Sequence, residues 1–235
     1  MDPLMISAAS GMKARMESLD LLANNLANSG TSGFKADSEF YSLYAEQLPV
    51  IQGRWTDFSQ GANLPTCNPL DLGLSGMGFF ALNTPLGTVY TRNGSFRISK
   101  SNQLSSAEGY TIRNFLDMGR PIAVDPAQEI TIGKNGTVSQ GGQSIGQIEL
   151  GQLPSAIDQV GKLGNSYFAL VEGSVPAADS GTEIHQGQLE QSNVTVADYA
   201  VRLVSVMRQF EMLQKAMNIG SEMSKSAIQE VAKVS

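Results

Sequence analysis

Apolar residues recur at helical spacing at both ends of this chain, while its middle follows a different pattern. That bracket constrains the fold more than any single motif. At the N-terminus Met5, Ala8, Ala9, Met12, Met16, Leu19, Leu22 and Leu26 step by threes and fours, which predicts one apolar face of a helix. The stripe runs into Ala23-Asn24-Asn25-Leu26-Ala27-Asn28-Ser29-Gly30-Thr31-Ser32-Gly33-Phe34-Lys35. Asn and Gly tolerate left-handed backbone, and Asn, Ser and Thr side chains compete for backbone hydrogen bonds. The run therefore reads as a helix stop and a shaped turn.

The C-terminal stripe has a seven-residue period. Val196, Leu203, Phe210 and Met217 form one set, and Ala200, Met207 and Ile228, offset by four, are expected on the same face. The repeat weakens where Gln214, Ser221 and Ser224 fall on the seam, and returns at Val231. Thr195-Val196-Ala197-Asp198 resembles a capping box and sets the expected helix start. Asp198 with Arg202, and Glu211 with Lys215, are acid-first pairs four apart that support a helix.

Between the helices the punctuation is that of a β protein. Leu70, Leu72 and Leu74 alternate with polar or small residues, and Gly78-Phe79-Phe80-Ala81-Leu82 reads as a buried strand. Val89 to Arg92, Asn93-Gly94, then Ser95 to Ile98 predicts a hairpin with a type I′ turn. Glu129 to Ile132, the loop Gly133-Lys134-Asn135-Gly136, and Thr137-Val138 predict a second hairpin. Ile145, Ile148, Leu150 and Leu153 suggest a further strand, and Tyr167 to Val171 another. The polar run from Gly173 to Gln188 reads as a surface loop or a last irregular strand. Upstream, Phe40, Tyr41, Leu43, Tyr44 and Leu48 are compatible with a short helix or strand that Pro49, Gly53, Gly61 and Pro65 interrupt, while Trp55 and Phe58 suggest packing.

The fold class expected is α+β: N- and C-terminal amphipathic helices pairing as a coiled coil, with a central antiparallel β-rich domain. The expected division is 1–35 for the first helix and its turn, 36–67 for a connecting segment, 68–190 for the β domain and 191–235 for the last helix. Low charge content (16%) and 24 glycines suit turn-rich β structure.

Composition also excludes partners. The net charge is −6 and basic residues never cluster, so nucleic acid and stable membrane insertion are not expected. No apolar run approaches the roughly 18 residues that span a bilayer. Charged residues from Lys13 onward interrupt the first stripe, so no cleaved signal peptide is expected.

The search for chemistry finds little. His185 is the single histidine, in a polar stretch, and cannot alone build a His-rich metal site. Cys67 has no basic neighbour in sequence to activate it and no partner for a disulfide. Gly73-Leu74-Ser75-Gly76-Met77 lacks the second glycine of a nucleophile elbow at the required spacing. No phosphate loop and no calcium-loop spacing is present, so neither a cofactor nor a metal is implied. The methionines say more. Eight of the ten lie in the two terminal segments. They suit an ordinary helix core, or a surface that packs against several slightly different neighbours.

Four ordered blocks resemble bacterial flagellar basal-body rod and hook proteins. The first is Ala23 to Asn28 followed by Thr31, Gly33 and Phe34. The second is Asn68-Pro69-Leu70-Asp71-Leu72 with Gly78-Phe79-Phe80, and the third is Tyr90 to Phe96. The fourth runs from Leu189 to Val194 and on through Arg208-Gln209-Phe210-Glu211-Met212. The resemblance implies the signature residues Asn25, Leu26, Ala27, Asn28, Thr31, Gly33 and Phe34. It also implies a structural, non-enzymatic subunit of the periplasmic rod that carries torque for motility. Implied partners are other rod subunits and the flagellar type III export apparatus. With the stripes above, the expected assembly interface is Met5, Met12, Leu19, Leu22, Leu26, Val196, Leu203, Met207, Phe210 and Met217. Met1-Asp2, the modest length and the Glu129–Ile132 strand with its turn resemble the proximal more than the distal or hook-type members of the family. Two other classes stay open on residues alone. One is an enzyme whose activity would depend on His185; the other is a monomeric β-domain binding module.

Overall fold

The computed structural model describes residues 3–43, 49–153, 160–164, 166–170, 177–178 and 181–234. Met1, Asp2, Tyr44, Leu48, Val171 and Gly173, named above, lie outside the described residues. So do the side chains of Met5, Phe40, Tyr41, Leu43, Ser224, Ile228 and Val231. The chain divides into two compact units: residues 1–28, 37–57 and 194–235 form a helical unit, and 29–36 with 58–193 form a β unit.

In the helical unit, α1 spans Pro3–Ala27 and α2 spans Val196–Val234. The two helices pack against each other. The buried face of α1 is Ala8, Gly11, Ala14, Ser18, Leu21, Leu22 and Asn25, a face of mostly small residues. A Cβ at Gly11 would lie 3.3 Å from Leu213 Cδ1, so the missing side chain lets α2 approach. Of the expected stripe, Ala8 and Leu22 lie on this face. Met12, Leu19 and Leu26 are half-buried beside it, and Ala9 and Met16 are exposed.

Along α2 the half-buried positions Tyr199, Leu203, Val206, Phe210, Leu213 and Met217 step by fours and threes, a heptad spacing. Leu203, Phe210 and Met217 lie where the seven-residue period places them. Of the companion set, Ala200 is half-buried beside Tyr199, but Met207 is displaced by its neighbour Val206, and Leu213 continues that row. Val206 and Met207 are both apolar, so spacing alone fits either; packing selects Val206 and leaves Met207 47% exposed.

The segment expected to be interrupted by Pro49 and Gly53 is instead an antiparallel hairpin, Asp37–Leu43 with Pro49–Thr56. Pro49 stands at the start of its strand, where a missing N–H is tolerated. Gly53 pairs with Phe40 beside a bulge between Phe40 and Tyr41, a strand position where glycine is often found. Trp55 is exposed, whereas Phe58, in the β unit, packs edge-on against Phe79 and Phe168 at ring distances of 5.5 and 5.2 Å.

The β unit is antiparallel throughout its described pairings. Its main sheet runs in the order Val160–Lys162, Tyr167–Leu170, Gly87–Thr91, Gly78–Thr84, Thr111–Ile112, Leu104–Ser105 and Arg97–Ile98. Leu150–Gln152 also pairs with Gly78–Thr84. The central strand Gly78–Thr84 is buried on both faces. Phe80 and Leu82 join a core with Leu72, Leu74, Ile112, Val138 and Ile184, while Phe79 and Ala81 join one with Tyr90, Leu153 and Phe168. The hairpin expected at Gly133–Gly136 is present, joining Ile130–Ile132 to Thr137–Gln140. Glu183–Gln186 pairs with Leu72–Ser75, and Gln188–Glu190 with Asn63–Pro65, so the end of the polar run is strand.

The hairpin expected at Asn93-Gly94 is absent. Gly87–Thr91 pairs with Gly78–Thr84 and Tyr167–Leu170, while Arg97–Ile98 pairs with Leu104–Ser105. Neither Asn93 nor Gly94 has a positive φ. Gly94 is needed for closeness, because a Cβ there would lie 1.7 Å from the Leu72 carbonyl oxygen. Leu72 N donates to Gly94 O at 3.0 Å and Asp71 bridges antiparallel to Ser95, so the segment runs beside residues 70–72 instead of pairing back on its own strand.

Candidate functional site

Two features stand out: the outer surface of the helical pair, and the place in the β unit where the quoted sequence blocks meet. The first is a surface of unsatisfied apolar side chains. From Val196 to the end of α2 no described side chain is buried. Val201 is 71% and Met212 62% exposed, and Val204, Ile219 and Met223 are exposed with them. Val201, Val204, Arg208 and Met212 line one shallow groove along the helix. Ile6 and Met16 add exposed apolar surface on α1. Along α2 these side chains leave an unusually apolar exposed stripe. Of the expected interface residues, Leu22 is buried within the unit. Met12, Leu19, Leu26, Leu203, Phe210 and Met217 are half-buried, and Val196 and Met207 are exposed.

The turn after α1 is held by side chains. Asn25 is buried; its Nδ2 donates to Asp37 O at 2.7 Å and its Oδ1 accepts from Asp37 N at 3.0 Å. Asn28 closes the helix, its N–H reaching Asn24 O at 3.1 Å and its Nδ2 the same oxygen at 2.9 Å. Leu26 is half-buried and Ala27 exposed. In the β unit Thr31 O accepts from Phe34 N at 3.2 Å. Gly33 has φ +67°, and a Cβ there would lie 2.3 Å from Arg92 C and Asn93 N. Only glycine fits both demands. Phe34 is buried with the Lys162 ammonium 4.2 Å from its ring centroid.

The residues that tie these blocks together were missed as a group. Lys35, Arg92 and Glu190 are fully buried. Glu190 Oε1 accepts from Lys35 Nζ at 2.7 Å and from Gly61 N at 2.9 Å, and its Oε2 accepts from Arg92 Nη1 at 3.1 Å. Lys35 Nζ also donates to Ser59 O at 2.5 Å, and Arg92 Nη2 to Gly76 O at 2.6 Å. The Arg92 guanidinium lies 4.7 Å from the Phe79 ring centroid. Asn193 continues the junction: its Oδ1 accepts from Ala36 N at 2.8 Å, and its N–H donates to Phe34 O at 3.4 Å. Each charge was visible inside a quoted block, but nothing in the sequence pairs positions this far apart.

The catalytic alternatives gain no geometry. His185 Nε2 lies 3.8 Å from Glu183 Oε2, on a strand paired with Leu72–Ser75. Cys67 is exposed. Among the described residues no group of three or more His, Cys, Asp or Glu could hold a metal. A cleft in the helical unit is lined by Arg15, Asp37, Glu39, Tyr199 and Arg202. There burial raises the Tyr199 phenol pKa, with Asp57 and Asp37 adding to the rise and Arg202 opposing it. No helix among the described residues is long and apolar enough to cross a membrane.

Three family descriptions match successive parts of the chain. "Flagella basal body rod protein" covers residues 5–35, "Flagellar hook protein FlgE/F/G D1 domain" covers 73–140, and "Flagellar basal body rod FlgEFG protein C-terminal" covers 185–230. Lys35, Arg92 and Glu190 fall one in each. Among curated proteins the chain is 31% identical to flagellar basal-body rod protein FlgF of Caulobacter vibrioides, over 98% of both chains. It is 32% identical to FlgF of Mesorhizobium japonicum over 94% of both, and 30% identical to FlgG of Borreliella burgdorferi over 92% of this chain and 94% of that one.

Proposed function

The chain belongs to the flagellar basal-body rod protein family, and from that premise we propose how it builds the rod. It is a structural subunit of the bacterial flagellar basal body, assembling with other rod components. The finer reading concerns geometry. The terminal helices of successive subunits stack side by side as a coiled-coil-like inner tube, and the β unit forms an outer layer. Near-parallel helices buried along an axis give a shaft the stiffness that torque requires. Relatives named FlgF support placing the chain with the proximal rod proteins. Delivery by the flagellar type III export apparatus belongs to the same reading. So does ordering of the terminal segments on assembly.

The observation that carries this reading is the apolar surface of α2, a 39-residue helix with no buried described side chain. Val201→Asp and Met212→Asp test it, because both side chains already face solvent in the single chain. The expected result is an unchanged monomer melting curve with loss of incorporation into basal bodies. Normal incorporation of both variants would overturn the proposed interface.

A further inference from the structure

Lys35, Arg92 and Glu190 have an order along the chain that matters. The two cations come first, and the carboxylate they share follows 155 and 98 residues later. All three are fully buried in the β unit. The Glu190 carbonyl also accepts from Gly33 N at 2.8 Å. Backbone closes the space around them, since a Cβ at Gly61 would lie 2.0 Å from Gln191 O and one at Gly33 2.3 Å from Arg92 C. No room is left for the cluster to loosen gradually.

We infer that Glu190 is a completion latch: the turn 29–36 and the segment 188–193 dock onto the β unit together, and the shared carboxylate is what lets them do so. An ammonium and a guanidinium that converge on one buried point repel each other and lose their hydration, and the carboxylate between them offsets both costs. Before Glu190 arrives, Lys35 and Arg92 stay hydrated. The turn carrying Gly33 and Phe34 then stays undocked with Lys35. Arrival of Glu190 adds the counter-charge, the strand pairing to Asn63–Pro65 and the Gly33 hydrogen bond in one event. Closure of the β unit therefore reports that the chain has been completed as far as the 188–193 segment. The inference does not depend on the rod assignment.

Two full-length variants test it by residue-resolved hydrogen exchange. In Glu190→Gln the amides of Gly33, Ala36 and Asn193 should exchange on the order of a hundredfold faster, as for removal of one partner from a buried ion pair. Phe80 and Leu82 in the central strand should keep wild-type protection. The triple variant Lys35→Met/Arg92→Met/Glu190→Leu buries no charge and should restore protection at those three amides to within about threefold of wild type. Unchanged exchange in Glu190→Gln would overturn the latch. So would loss of protection in the central strand alongside, because the cluster would then be ordinary core. A triple variant as loose as Glu190→Gln would overturn the charge argument.

Discussion

Asn25 and Asp37 are joined twice: the Asn25 amide donates to the Asp37 carbonyl at 2.7 Å and accepts from the Asp37 N–H at 3.0 Å. One side chain thus acts as a strand partner for backbone twelve residues away. It fixes where the chain restarts after the turn. Asn25→Ala removes both bonds, and denaturant unfolding should show a loss of about 2 kcal/mol. Asn25→Asp keeps the acceptor but adds a buried charge, and should be at least as damaging.

Gly33 and Gly30 form a matched pair of probes. Gly33→Ala meets both a positive φ and backbone 2.3 Å from the new Cβ. A loss of about 3 kcal/mol or more is expected from left-handed strain plus the clash. Gly30→Ala meets nothing within 4 Å and should change unfolding free energy by about 0.5 kcal/mol or less. Equal effects at the two sites would contradict the close approach of Gly33 to Arg92.

Helix pairing in the monomer rests on Gly11 against Leu213. Gly11→Val should destabilise the helical unit by about 1–3 kcal/mol through overpacking. Leu213→Ala alone should also destabilise. The double variant should recover part of the Gly11→Val loss, because the truncated leucine makes room. A double-mutant cycle with coupling of about 0.5 kcal/mol or more would establish the contact, and additivity would refute it.

Tyr167 and Glu108 predict a pH dependence in the β unit. Burial, and then its hydrogen bond to Glu108, raise the Tyr167 phenol pKa above its ordinary value of 10.0. Its contribution is therefore complete below about pH 10 and lost as pH climbs past that point. For Glu108 burial pushes the pKa up. A hydrogen bond from Tyr167 and one from its own backbone, with Arg97 nearby, outweigh that and hold it lower. Its contribution is present above the usual carboxylate range and fades as acid protonates it, and its exposure keeps the effect small. Tyr167→Phe should flatten the stability profile at both extremes, measured by urea unfolding across pH.

The terminal helices, the buried Gly78–Thr84 strand and the Gly133–Gly136 hairpin were legible because each rests on local periodicity or local turn chemistry. Asn93-Gly94 was misread because the same dipeptide serves two purposes. A glycine that permits a tight turn and one that permits a neighbouring carbonyl to approach look alike in sequence. The Asp37–Thr56 hairpin was obscured for a related reason: Pro49 and Gly53 break an isolated strand but are harmless at a strand start and beside a bulge. On α2 the set Leu203, Phe210 and Met217 was readable, but its companion was not, since Val206 and Met207 are equally apolar.

By itself the sequence determined the two long helices, the β-rich middle, the stop after Asn28 and the family. These follow from spacing and residue type within a few turns of chain. Only the tertiary structure decided which face of each helix is covered and which is exposed. It also decided that Lys35, Arg92 and Glu190 share one buried point. Burial of charge depends on partners from distant segments arriving together, and no local pattern records that meeting.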